Sequence, residues 1–345
     1  MNVRASVPSI IKGPARELIR SFWALDKQLG YPVFGVRENR RTKDRWTQFT
    51  RDLEARRQRY REAAFPIGDH AEVVERLRTD GFAVVPHAMD VSKLLRVRDE
   101  LEQCLDTGTR LQKISKDTVR RKGDLDQPAS VFLTREETAK GQSYFRDQTN
   151  FAAVQEPLFA CPGTIPVAFD DVLFDIAARY LDCVPAIGGC NLRKSFVNDI
   201  AEFDTLHFHA DPNSPKFLKY FFYLNDVDIN GGPFCYVRGS HHQKFRGWRS
   251  KYRWTHEEIA GIYGEERIVY LTANRGDMVI ADTNGFHRGT KVRSADRLML
   301  TIDYVIHTEF DGAQAPFKIG SRDYAALSAK RKAAADLLEV VQERA

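Results

Sequence analysis

Two histidines, an aspartate and an arginine are the residues of this 345-residue chain best suited by type and spacing to chemistry. The segment Leu206-His207-Phe208-His209-Ala210-Asp211 lies in a β-rich stretch. Residues two apart on a strand point to the same face, so His209 and Asp211 present an imidazole and a carboxylate side by side. A third donor of the right kind, His287, sits far downstream in Asp282-Thr283-Asn284-Gly285-Phe286-His287-Arg288-Gly289. Two imidazoles and one carboxylate on one face of a metal ion leave the opposite face open, the arrangement of non-haem Fe(II) oxygenases. The open positions let a co-substrate chelate the metal through two atoms while O2 takes the last.

An HxD tripeptide alone carries little weight; its neighbours give it value. Arg297 follows His287 across the turn Ser294-Ala295-Asp296, at the start of the apolar run Leu298-Met299-Leu300-Thr301-Ile302. A guanidinium there can pair bidentately with a carboxylate. Arg293 competes for that task but falls within the turn, so Arg297 is favoured. His207 offers a different set, His207-His209-His287, which would suit a cupin-like metalloenzyme that uses no keto acid, although no Glu follows at cupin spacing. Arg288 points to the opposite face of an ideal strand from His287. Cys190 and Cys235 read as small apolar fillers. No Ser-His-Asp order or nucleophile elbow supports a hydrolase.

The elements that must position these residues form a mainly β protein with flanking helices. After Pro185, short β-rich runs follow one another at about 187–197, 205–210, 217–225, 233–239, 267–272, 277–282, 286–292 and 297–306. Runs of this length and spacing predict an antiparallel barrel or double-sheet jelly roll. No βαβ alternation or glycine-rich phosphate loop accompanies them. Upstream, a helix opens near Asp69 and ends at Thr79-Asp80-Gly81, before the strand Phe82-Ala83-Val84-Val85-Pro86. Further helices are expected at 91–105 and 169–181, the latter with Val172, Leu173, Ile176, Ala177 and Tyr180 on one face. Residues 108–142 read as polar loop. Three parts result: a helical basic extension at 1–66, a domain at 67–320 whose jelly-roll core spans about 187–308, and a C-terminal helix at 321–345.

The net charge of +5 is concentrated. Residues 36–62 hold ten Lys or Arg and five acids, which accounts for the whole excess. Mixed signs read as a solvated helix face, and no nucleic-acid partner is expected. A binding module acting through this extension is the non-enzymatic alternative. No run reaches the roughly 18 apolar residues of a membrane span, and no secretory signal is evident. Five cysteines without a CxxC pair give no disulfide framework. A cytoplasmic protein is expected.

Taken together, these features resemble the phytanoyl-CoA dioxygenase family of Fe(II)/2-oxoglutarate-dependent oxygenases. The resemblance runs from about Asp69 to Thr308. It rests on Asp80-Gly81-Phe82, Ala178-Arg179-Tyr180-Leu181, the HxD, Asn230-Gly231-Gly232-Pro233 with Gly239-Ser240-His241, and His287 with Arg297. It implies a double-stranded β-helix with Fe(II) on His209, Asp211 and His287. It implies 2-oxoglutarate spanning from the metal to Arg297, with O2 as co-substrate and ascorbate as an aid in vitro. Arg193, Ser195 and Thr290 fall by position on further co-substrate contacts. His241 and His242 fall in a structural turn, outside the site. Related halogenases lose the carboxylate, so Asp211 points to hydroxylation or another oxidation of a small-molecule substrate rather than halogenation. Basic residues near the expected mouth (Arg193, Lys216, Lys219, Arg246, Arg249) lean towards an anionic group. The cation- and aromatic-rich stretch from Lys244 to Trp254 reads as a substrate lid, as a base-stacking surface, or as an insert packed on the barrel.

Overall fold

The computed structural model describes residues 40–342, except 64, 108–110, 123–124, 133–134, 203, 212–213, 215, 249–250, 252 and 308–315. In chain order its strands are β1 (Phe82–Val85), β2 (Leu111–Lys122), β3 (Leu125–Phe132), β4 (Phe151–Val154) and β5 (Ala186–Ser195). They continue as β6 (Phe217–Tyr223), β7 (Phe234–Val237), β8 (Ile268–Leu271), β9 (Met278–Ala281), β10 (His287–Gly289) and β11 (Arg297–Val305), then β12 (Lys318–Gly320) and β13 (Glu339–Val341). The large sheet has the order β1-β9-β6-β11-β5-β4-β2-β3, and a small sheet the order β10-β7-β8. Isolated bridges extend the small sheet: His209 pairs with His287, and Phe208 pairs with Trp254. Seven of the eight expected core strands form. The eighth, at 205–210, is reduced to those bridges after a 3-10 turn at Asp204–Leu206.

Period-two alternation sorts the two faces of the large sheet. On β11, Leu298, Leu300, Ile302 and Tyr304 join the apolar core beneath the helices, as do Leu218, Tyr220 and Phe222 of β6. The alternate residues face the small sheet. Met299, Phe221 and Tyr223 pack there against Phe234, Tyr236 and Leu271. That second core closes one end of the barrel and leaves the polar inward residues Arg297, Lys219 and Asp303 around its remaining space.

The helical layer comprises α1 (Arg40–Arg61), α2 (Ala71–Asp80), α3 (Val91–Thr107), α4 (Gly141–Gln148) and α5 (Asp171–Leu181). The Asp170 side chain caps α5 by accepting from the Val172 N–H at 3.1 Å. Gly81 ends α2 at φ +86°, where a Cβ would lie 2.4 Å from the Tyr236 hydroxyl oxygen. Only glycine fits that left-handed position. Of the basic extension, α1 buries Phe49 and Leu53 in the same core as α2 and α5. The Arg56 guanidinium donates to the Val184 carbonyl at 3.2 Å. Residues 1–39 lie outside the described residues.

Two expectations are corrected. The polar stretch 108–142 contains β2 and β3, which form an antiparallel hairpin continued through β4 into β5. Its charged sequence hides strand character because this hairpin lies at the edge of the sheet, where charges are tolerated. The tail is not one C-terminal helix. It breaks into α7 (Ser321–Ala326), α8 (Ala329–Ala334) and β13, which pairs in parallel with β12. Leu327 turns into the core, and Ser328 restarts the chain by accepting from the Arg331 N–H at 3.4 Å. The remaining labelled helix, α6 (His256–Tyr263), covers the outer face of the small sheet.

Candidate metal and co-substrate site

Backbone pairing brings the two histidines together. The His209 N–H donates to the His287 carbonyl and the His287 N–H to the His209 carbonyl, both at 2.9 Å. Their rings stand on the inner face with centroids 4.3 Å apart. Each Nδ1 lies 2.9 Å from a backbone carbonyl two residues upstream, that of His207 or of Gly285. With Nδ1–H donating, each Nε2 keeps its lone pair for a metal. The His209 Nε2 is 3.6 Å from Asp211 Oδ1, and the His287 Nε2 is 3.5 Å from Asp211 Oδ2. One donor atom from each of the three residues lies within 4.8 Å of the others, and among the described residues this is the cluster able to hold a metal ion.

Electrostatics match that role. Burial pushes both imidazoles below their ordinary pKa, His287 to about 4, so both are neutral donors at neutral pH. Arg253 pushes both in the same direction. Burial alone would raise the Asp211 carboxyl, but Lys219 and the two histidines hold it well below the usual carboxylate range. The Lys219 ammonium donates to Asp211 Oδ2 at 3.0 Å and sits 3.5 Å from Asp303 Oδ2. It is thereby shared between two inward carboxylates.

Arg297 begins β11 opposite Ser195 of β5 and is 3% exposed. Its Nη2 donates to Ser195 Oγ at 3.2 Å and its Nη1 to the Gly232 carbonyl, while Nε is buried without a hydrogen-bond partner. A cavity beside it is lined by Arg193, Ser195, Thr290, Lys291 and Arg297, with Phe151 and Leu206 among its apolar walls. All four co-substrate candidates from the sequence therefore share one cavity. Arg193 stacks over the Phe151 ring at 5.0 Å. The Thr290 hydroxyl donates to the Pro233 carbonyl at 2.7 Å, so it is an acceptor towards the cavity.

Other candidates lie elsewhere. His207 does not join the cluster and contributes its carbonyl instead. His241 and His242 both reach the Arg78 carbonyl, at 3.1 and 2.8 Å. Arg293 is exposed. Arg288 lies over Phe208 on the outer face, 3.8 Å from Glu202. Lys216 donates to the Tyr180 carbonyl, Arg246 is exposed, and Arg249 lies outside the described residues. Burial pushes the Cys235 thiol up to about 12 and that of Cys190 higher, consistent with inert fillers. Sequence reasoning missed Asp303 and Lys291. Asp303 was detectable as the next inward position after Arg297, Met299 and Thr301 on β11.

A jelly roll carrying a buried His-Asp-His donor cluster marks a class, the Fe(II)- and 2-oxoglutarate-dependent oxygenases. The profile of the phytanoyl-CoA dioxygenase (PhyH) family matches residues 77–299, and the chain belongs to that family. Among solved structures, it is similar to the non-heme alpha ketoglutarate dependent epimerase SnoN from nogalamycin biosynthesis. Identity is 13%, the match covers 70% of this chain and 86% of SnoN, and the TM-score is 0.50. EctD from S. alaskensis with bound Fe is 16% identical over 79% of this chain and 88% of its own, with TM-score 0.49. HygX from Streptomyces hygroscopicus with nickel and 2-oxoglutarate bound is 16% identical over 69% and 87%, with TM-score 0.44. The likeness to SnoN is one of fold. None of the curated proteins compared with the chain matches it. Among the described residues, no helix is long and apolar enough to cross a membrane.

Proposed function

We propose that the protein holds Fe(II) on His209, Asp211 and His287 and 2-oxoglutarate between that metal and Arg297. On this reading it hydroxylates a C–H bond of a small organic substrate. Atoms balance as substrate, 2-oxoglutarate and O2 giving hydroxylated substrate, succinate and CO2. The observation that carries the reading is the convergence of three donor atoms within 4.8 Å, together with a buried, incompletely bonded arginine in a cavity that Gly289, two residues beyond His287, also lines. An N,N,O donor set with an open face suits non-haem Fe(II). When bound, iron and keto acid together supply O2 activation coupled to decarboxylation.

The chain's own residues supply geometry. The His207 and Gly285 carbonyls fix both imidazole tautomers. Lys219 donates to Asp211 Oδ2 and holds the carboxylate, charged, beside the two imidazoles. Arg297 and Ser195 receive the distal carboxylate of the keto acid, with Arg193 and Thr290 flanking it. Phe234, whose ring centroid is 5.3 Å from that of His287, keeps water from one side of the imidazole. Asp211 fills the position that a halide would need, which favours hydroxylation. Residues 67–320 carry this activity, and the N-terminal helix acts as a cover for the helical layer.

The test is succinate release with Fe(II), 2-oxoglutarate and ascorbate, in the wild type and in Asp211→Ala and His207→Ala. Asp211→Ala is expected to lose turnover and Mn(II) binding, while His207→Ala retains both. Turnover and metal affinity surviving in Asp211→Ala would remove the triad. Their loss in His207→Ala, with no response to 2-oxoglutarate in the wild type, would favour the cupin-like metalloenzyme.

A further inference from the structure

In the stretch from Lys244 to Trp254, the described aromatic residues Phe245, Trp248 and Trp254 serve packing. Phe245, Trp248 and Trp254 cluster on Phe286 outside the small sheet. Two of its cations are engaged on that side. Lys244 sits 4.5 Å over the Phe286 ring, and Lys251 sits 4.6 Å over the Trp254 ring and pairs with Glu258. Arg253 lies on the other face, as the backbone register shows.

Phe208 and Trp254 form a reciprocal antiparallel pair. The Phe208 N–H donates to the Trp254 carbonyl at 2.9 Å, and the Trp254 N–H to the Phe208 carbonyl at 2.8 Å. Both side chains belong to the outer cluster. The next residues along, His209 and Arg253, are therefore cross-strand neighbours on the inner face. His209 pairs in turn with His287, and His287 with Tyr236. Arg253, His209 and His287 thus stand in one row across the small sheet, with the cation one strand beyond the first metal histidine. Arg253 is half-buried, and its charge bears on both imidazoles. On the opposite flank the Lys219 ammonium is shared by Asp211 and Asp303. Fe(II) with one carboxylate and a dianionic keto acid is net negative, so an anionic substrate needs a cation at the rim of the open face.

We propose that Arg253 is a specificity-determining residue that binds a carboxylate of the substrate beside the open metal face. This rests on the reading of the site as an Fe(II)/2-oxoglutarate centre and narrows its substrates to organic carboxylates. The planar guanidinium suits that group through paired N–H donors. The segment then has two tasks on adjacent residues: Trp254 anchors it outside, and Arg253 selects inside.

The substrate being unidentified, the probes are trifluoroacetate and its neutral counterpart trifluoroethanol. Both are followed by 19F relaxation with the protein loaded with Mn(II), with and without saturating 2-oxoglutarate. In the wild type, trifluoroacetate is expected to relax several-fold faster than trifluoroethanol. Arg253→Gln should remove most of that difference, and Arg253→Lys should retain part of it. Equal relaxation of the two probes, or equal relaxation of trifluoroacetate in wild type and Arg253→Gln, would overturn the proposal. So would loss of the Mn(II)/2-oxoglutarate thermal shift in Arg253→Gln, because Arg253 would then serve the co-substrate or the fold. A wild type that gains no thermal shift from 2-oxoglutarate would instead defeat the oxygenase reading, while the arm with Mn(II) alone still reports on Arg253.

Discussion

Replacing Arg297 by Gln isolates the charge of the co-substrate anchor. The amide is polar and keeps a donor at the buried position, but it is neutral and stops short of where Arg297 Nη1 engages the Gly232 carbonyl. The distal carboxylate of 2-oxoglutarate loses its charge-assisted partner. Hydrogen bonds to charged groups contribute about 1.5–3 kcal/mol, which corresponds to a loss of roughly 10- to 150-fold in affinity. The assay is anaerobic thermal unfolding with Mn(II) and 2-oxoglutarate. Ligand at about 100 times Kd stabilises the wild type by ~2.7 kcal/mol. A hundredfold weaker variant at the same concentration retains ~0.4 kcal/mol by the same relation. At about 2 °C per kcal/mol for a chain of this size, a shift of ~5 °C should fall to ~1 °C. The stabilisation by Mn(II) alone should not change, since Arg297 is not a donor to the cluster. A full 2-oxoglutarate shift in Arg297→Gln would refute the anchor. Loss of the Mn(II)-only shift would show that the arginine supports the triad itself.

Two further predictions concern the scaffold. Burial pushes the Asp282 carboxyl up from 3.8 to about 7, opposed by its hydrogen bonds from Asn284. The folded state then holds this proton more tightly than the unfolded chain does. The group therefore favours folding fully below pH ~4 and loses that contribution as pH rises towards 7, a change on the order of 4 kcal/mol. Asp282→Asn keeps an acceptor for the Tyr180 hydroxyl and should flatten the decline in urea-unfolding stability between those pH values; an unchanged slope would disprove the assignment. Phe49→Ala removes a fully buried ring where α1 meets the helical layer. It should cost about 3–5 kcal/mol in chemical unfolding while sparing turnover per folded molecule. A variant of wild-type stability would mean that α1 is only loosely attached.

Legibility in the sequence followed burial. Strands β5 to β11 were readable as short β-rich runs: β7 and β9 are apolar throughout because both faces are buried, whereas β11 sets Leu298, Leu300 and Ile302 in one core against Arg297, Met299 and Thr301 on the other face. The pair His209 and Asp211 could be proposed from residue type and a spacing of two, but His287 could be joined to it only through the motifs around all three. The hairpin β2-β3 was not, because LQKISKDTVRRK carries charge along a strand ordered by backbone pairing at a sheet edge. The tail was misjudged because Ala, Lys and Glu favour helix everywhere along it, whereas the break at Leu327 depends on a tertiary contact. Lys219 reads in the sequence as a mouth cation for an anionic substrate and Asp303 as an ordinary charge, until strand pairing places them side by side at register Asp303↔Lys219. Arg253 escaped for the same reason: its direction is set by one bridge between Phe208 and Trp254.

The reciprocal pairing of His209 with His287 makes the proposed metal ligands part of the seam that joins distant parts of the chain. A nascent or partly unravelled molecule in which that seam has parted cannot present both imidazoles to one ion. Loading is therefore confined to chains that have finished folding, and a captured ion works as a rivet: stretching the barrel open at this edge must first tear out the ion.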